Sequence, residues 1–120
     1  MTPAEAHARL ERVMARAMAS PDPVLALRRA ARSSRLPPAI RRMLAAADED
    51  GVRMAALLSA KLRFERLLRG CPEAEAWFER DAEGFAEAFR RYHAEVRPTA
   101  FLPPAEARLF VRWQTARQGR

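Results

Sequence analysis

Residues 77–113 read WFERDAEGFAEAFRRYHAEVRPTAFLPPAEARLFVRW, and the spacing of the rings in this stretch decides the fold. Phe85, Phe89, Tyr92 and Val96 recur at steps of four, three and four, which traces a single face of an α-helix. Pro98 ends that helix, because the residue before a proline is pushed out of the helical region. Pro104-Ala105-Glu106 begins another, with Leu109, Phe110 and Trp113 inward. Eight of the nine aromatic residues lie in this stretch and only Phe64 lies outside it. Large rings bury the most apolar area per residue, so these rings, Phe78 and Phe101 included, are predicted to form the centre of the core. The N-terminal half is expected to build on that centre.

The remaining helices are read from their ends. Thr2-Pro3-Ala4-Glu5 carries a capping threonine, a proline at the first helical position and a glutamate three residues after the cap, the pattern of a capping box. Ser20-Pro21-Asp22-Pro23 closes that helix, and Asp22 caps a second that carries Val24, Leu27 and Ala31 inward. Leu36-Pro37-Pro38 forces a break before a third helix with Ile40, Met43, Leu44 and Ala47 on one stripe. A fourth, from about Val52 to Arg69 with Asp50 as its cap, has a broad apolar stripe that includes Met54, Leu57, Leu58, Leu62, Leu67 and Leu68. Gly70-Cys71-Pro72 stops it. Glu73 and Glu75 open a short fifth helix with Cys71 at its cap position, and Asp81 caps the sixth. Gln118, Gly119 and Arg120 are expected to fray.

These elements predict an all-α, single-domain bundle of about six or seven short helices over residues 1–120, with the last three packing their rings against the fourth. A chain of 120 residues suits one core better than two. One cysteine excludes an internal disulfide, and no run approaches a membrane span. A cytoplasmic protein with no membrane association is the expectation.

The formal charge is +7, from 21 arginines and one lysine against 15 acids. A coding sequence rich in G and C explains the preference for arginine over lysine, but not the excess of base. That excess is lopsided: residues 1–47 hold nine arginines and three acids, and the remainder holds thirteen basic and twelve acidic residues. The N-terminal half is therefore expected to concentrate positive field. Arg9, Arg12 and Arg16 read as a solvated side of the first helix, and Arg28, Arg29, Arg32 and Arg35 point outward from the second.

Two uses of that face compete. The second and third helices can be read as a helix-turn-helix, with Arg35, Arg41 and Arg42 near the entrance of the recognition helix and phosphates or bases as their targets. Yet two prolines occupy the turn, and residues 38–47 lack the Asn or Gln that would read adenine. The other use is an acidic protein partner. The segment Arg97-Pro98-Thr99-Ala100-Phe101-Leu102-Pro103-Pro104 adds to this second use. Its apolar pair can tuck onto the core, or stand exposed between prolines as a stiff knob for a partner's groove.

Catalytic readings are thin. Cys71 with His7 or His93 lacks the spacing of a metal site, and as nucleophile and base it has only a nearby helix start in its favour. The carboxylates Glu73, Glu75, Glu79, Asp81 and Glu83 stand at helix beginnings, where the helix dipole accounts for them. No catalytic, cofactor-binding or metal-binding residue is assigned.

Residues Lys61 to Trp113 resemble a helical family, described as DNA-binding domains, that accompanies peptide-modifying iron oxygenases of the methanobactin-biosynthesis type. The resemblance lies in Arg63-Phe64-Glu65-Arg66-Leu67-Leu68, in Phe85, Phe89 and Tyr92, in the proline-containing linker, and in Phe110 and Trp113. It implies a noncatalytic subunit that docks on an oxygenase and helps present a peptide, the metal ligands belonging to the partner. The functional expectation is a noncatalytic adaptor for a protein or peptide. Arg28, Arg32, Arg35, Arg41, Arg42, Arg97, Phe101 and Leu102 are its candidate contacts, and nucleic-acid regulation is the alternative.

Overall fold

A computed structural model describes residues 1–119. Among the described residues there are seven α-helices and no strand: α1 Pro3–Ala19, α2 Pro23–Ala30, α3 Pro38–Ala46, α4 Glu49–Gly70, α5 Pro72–Arg80, α6 Ala82–Glu95 and α7 Pro103–Gln118. The protein is all-α. Its chain forms two compact units, the first Met1–Ser59 and the second from Ala60 onward, and the division falls inside α4.

In the first unit α1 packs on α2 and α2 on α3. Thr2 and Glu5 form the reciprocal capping box, with Thr2 Oγ1 accepting from the Glu5 amide at 3.1 Å and Glu5 Oε2 from the Thr2 amide at 3.0 Å. Asp22 caps α2 through the Leu25 amide. The buried residues are Ala17, Val24, Leu27, Leu36, Leu44 and Val52, with Leu10, Val13, Met14 and Ile40 packed around them. No aromatic ring takes part. The aliphatic stripes of α1, α2 and α3 are enough to close a cluster of their own.

The start of α4 also departs from expectation. Asp48, not Asp50, supplies the cap, its carboxylate accepting from the Gly51 amide at 2.8 Å, and the helix begins at Glu49. That leaves Asp50 in the first turn, where the dipole favours an acid. The apolar stripe of α4 is split. Phe64, Leu67 and Leu68 pack into the aromatic cluster and Val52 into the aliphatic one, whereas Met54, Leu57, Leu58 and Leu62 are exposed. Helical register gives the inward place beside Leu67 to Arg63.

In the second unit α5 packs on α6, and Leu67, Cys71, Ala74, Phe85, Phe89, Tyr92 and Phe110 form the buried cluster. The rings of α5, α6 and α7 thus meet the C-terminal part of α4 as predicted. Phe85 is at the centre, 5.5 Å from Phe64, 5.7 Å from Trp77 and 6.0 Å from Phe110 between ring centroids, in the tilted and edge arrangements that ring quadrupoles favour. Two rings assigned to this centre lie elsewhere. Phe78 stands at the margin, its centroid 5.7 Å from Phe64 and 6.1 Å from Phe85 with part of the ring exposed, and Phe101 is exposed altogether. At the C-terminus α7 continues through Gln118 and Gly119 is a turn, so the expected fraying is not seen there. Arg120 lies outside the described residues.

Candidate functional site

The most extensive polar arrangement in the second unit surrounds Glu106, in the first turn of α7. Its Oε2 accepts from Arg63 Nε at 3.0 Å and from the Tyr92 hydroxyl, and its Oε1 from Arg66 Nε and Nη2 at 3.3 and 3.2 Å. Arg63 reaches onward. Its Nη1 donates to the Val96 carbonyl at 2.6 Å and lies 3.2 Å from His93 Nδ1, and its Nη2 donates to the Arg97 carbonyl at 3.4 Å. The guanidinium also lies 4.3 Å from the centre of the Tyr92 ring. Arg63 and Glu106 are wholly buried, a burial that is costly unless the pair is well hydrogen-bonded, and here each guanidinium nitrogen and each carboxylate oxygen has at least one partner. Burial first, and donation to the Glu106 carboxylate second, push the Tyr92 phenol well above its usual range.

This arrangement fixes the segment between α6 and α7. Carbonyls just past the end of α6 need donors, and Arg63 supplies them to Val96 and Arg97. At the other end the Pro103 backbone lies so close to Gly70 that a β-carbon there would overlap the Pro103 carbonyl group. Between these anchors Phe101 is 89% and Leu102 68% exposed. The tucked alternative is therefore corrected: the held backbone turns both side chains outward.

The arginines assigned to a partner face divide by use. Arg28 is half-buried and donates from Nη1 to the Leu44 carbonyl and from Nη2 to the Ala47 carbonyl, both at 2.8 Å, closing the end of α3. Arg41 donates from Nε to the Ala31 carbonyl at 3.1 Å, beyond α2. Both hold the first unit together. Arg32, Arg35, Arg42 and Arg97 are exposed. Arg35 joins a group that reads from sequence as solvated surface: with Arg9, Arg12, Arg16 and Arg29 it lines a cleft of about 870 Å³ between α1 and α2. Val13, Ala17, Ala26, Ala30 and Leu36 supply its apolar lining. Arg9 Nη1 donates to the Arg35 carbonyl at 2.6 Å. Among the described residues none of these five arginines has a carboxylate within 4.0 Å. The steps of three and four between Arg9, Arg12 and Arg16 are the sequence signal that they share a helix face.

Two other features carry less. A cleft of about 380 Å³ in the second unit is walled by Trp77 and Trp113, but its charges are matched locally. Arg91 lies 3.8 Å from Glu87, and Arg117 lies 3.4 Å from Glu95 and stacks over Trp113. The Cys71 thiol is buried and donates toward Glu73 at 3.4 Å. Burial pushes its pKa up, which disfavours the thiolate a nucleophile needs. Among the described residues no helix is long and apolar enough to cross a membrane, and no group of His, Cys, Asp or Glu is placed to hold a metal ion.

Comparison with protein-family models, curated proteins and solved structures gives no match for this chain.

Proposed function

We propose that this is a noncatalytic adaptor that engages a protein or peptide partner. The observation that carries the reading is the outward Phe101-Leu102 pair on a segment anchored at both ends. An apolar anchor already held in place loses little conformational freedom when it enters a partner's pocket. The resemblance over Lys61 to Trp113 narrows the partner to a peptide-modifying enzyme, for which this chain is the accessory subunit.

The nucleic-acid alternative has less support. A recognition helix needs free side chains near its start, and Arg41 is engaged with Ala31 while Arg28 is engaged with the end of α3. Arg42 alone remains exposed on α3 among its candidate contacts.

The test is a pull-down from extract of the native source, with nuclease and without, comparing the natural chain with Phe101→Ser/Leu102→Ser. A protein that survives nuclease and is lost with the double variant supports the adaptor. Equal recovery by both chains, or recovery of nucleic acid alone, sinks it.

A further inference from the structure

The α1–α2 cleft has a composition that selects its occupant. Five guanidinium groups line it, that of Arg9 with Nη1 already donating to the Arg35 carbonyl, no carboxylate of the described residues lies within ion-pair reach of them, and its remaining wall is largely small and apolar. We infer that this cleft binds an acidic amphipathic helix of a protein partner, with aliphatic side chains on Val13, Ala17, Ala26, Ala30 and Leu36 and carboxylates on the flanking arginines. The inference rests on the adaptor reading and places part of the partner at a second surface.

Charge complementarity supplies the first half of the argument. Arg9, Arg12 and Arg16 come from α1 and Arg29 from α2, with Arg35 just beyond it, so cationic groups stand on both helices that form the cleft. The rise from Arg9 to Arg16 is about two helical turns, or roughly 10 Å. Arginine's planar fork suits carboxylates in particular. A ligand helix of two turns with acids on both flanks would meet cations from each side.

The lining supplies the second half. Phosphodiester backbone has nothing apolar to set against Ala17, Ala26, Ala30 and Leu36. Leucine or isoleucine side chains laid along that floor would leave water, and burying apolar surface is the favourable term. Small residues in the lining leave the room a helix needs to lie in a groove, as in other helix-in-groove recognition.

The experiment uses the full chain and a fluorescein-labelled peptide of repeated Glu-Glu-Leu-Leu units, followed by fluorescence anisotropy. Saturable binding is expected, weakened about tenfold or more when Gln replaces every Glu or Ser replaces every Leu, and weakened by salt. Arg12→Glu/Arg29→Glu, which alters two exposed side chains on the two helices, is expected to lose binding with its helical circular dichroism unchanged. Should that variant prove unfolded, Arg12→Gln/Arg29→Gln gives the same reading with a milder change. Retained affinity in the folded variant, equal binding of the Gln peptide, or tighter binding of a labelled DNA duplex would each overturn the inference. Because the partners are purified, failure here leaves the Phe101-Leu102 comparison standing, and failure of that comparison leaves peptide binding by the cleft measurable.

Discussion

Arg63 Nε lies 3.0 Å from Glu106 Oε2, and neither side chain reaches solvent. The pair joins α4 to the first turn of α7 across 43 positions of sequence. Removing Arg63 leaves the buried Glu106 carboxylate with Arg66 as its one remaining counter-charge and takes the donors from the Val96 and Arg97 carbonyls, so Arg63→Met is expected to cost about 3 kcal/mol, a large fraction of the stability of a small protein. Arg63→Met/Glu106→Leu should recover part of that loss, because apolar replacement of a whole buried pair is often neutral. Urea unfolding of the single and double variants measures the coupling, and additive losses would show that the pair does not act as one.

Gly70 sits at the end of α4 against the Pro103 backbone. Alanine is the better helix former by about 1 kcal/mol, which on propensity alone predicts a gain. The added β-carbon would run into the Pro103 carbonyl carbon and oxygen, and backbone cannot rotate aside as a side chain can. Gly70→Ala is therefore expected to lose about 1–3 kcal/mol, read from the thermal midpoint, and a raised midpoint would mean that the segment is free to move away.

Helix ends were the most legible part of this chain, because their signals are local. Thr2, Asp22 and Asp81 lie three residues from the amides they cap, and the proline breaks need no tertiary information. The inward rings of α6 follow from spacing alone. The cap of α4 is not legible in this way, because Asp48-Glu49-Asp50 presents several acids in a row and only geometry chooses Asp48 among them. The Glu106 network was illegible for another reason. Glu106 reads as an ordinary first-turn acid and Arg63 as one arginine among 21, and pairing across the chain leaves no periodic trace. The arginine cleft was visible only as a stripe on α1, since its other wall comes from α2 and the turn beyond it.

Tyr92 gives a prediction in pH. Burial and its hydrogen bond to Glu106 raise the phenol above its ordinary value of 10.0, the nearby Arg63 opposing them in part. Since the folded value exceeds the unfolded one, the stabilisation is fully present below about pH 10 and is lost as pH rises through the folded value. The urea midpoint of the natural chain should therefore fall above about pH 10 more steeply than that of Tyr92→Phe. Cys71, raised from 9.0 by burial, adds a loss that begins about one unit lower, and Cys71→Ala in both backgrounds separates the two. Parallel curves for the natural chain and the Tyr92→Phe variant would show that the phenol ionises as it does in water.

Phe101 and Phe110 are both phenylalanines of the C-terminal region with opposite surroundings. Phe110 is buried against Phe85, Tyr92 and Trp113, so Phe110→Ala is expected to cost about 3–5 kcal/mol. Phe101→Ser removes an exposed ring and is expected to stay within about 0.5 kcal/mol of the natural chain. Denaturant unfolding of the two variants checks the contrast. A large loss for Phe101→Ser would mean that its ring is covered in solution.

Arg28 and Arg32 are four residues apart and read from sequence as one partner face, yet they are expected to respond differently to loss. The end of α3 has no basic residue in its own last turn, and Arg28 reaches its Leu44 and Ala47 carbonyls with two charge-assisted hydrogen bonds. Arg28→Ala leaves those carbonyls to water and loosens α2 from α3, an expected cost of about 1.5–3 kcal/mol. Lysine keeps the charge but has a single ammonium where two carbonyls are spanned by a fork, so Arg28→Lys should recover only part of the loss. Arg32 is exposed, and Arg32→Ala should stay within about 0.5 kcal/mol of the natural chain. Thermal unfolding orders the three variants, and equal midpoints for Arg28→Ala and Arg32→Ala would dismiss the structural role of Arg28. The ordering also decides how partner binding is read: a charge reversal at Arg28 loosens the first unit as well as its field, whereas reversal at Arg12 or Arg29 changes the field alone.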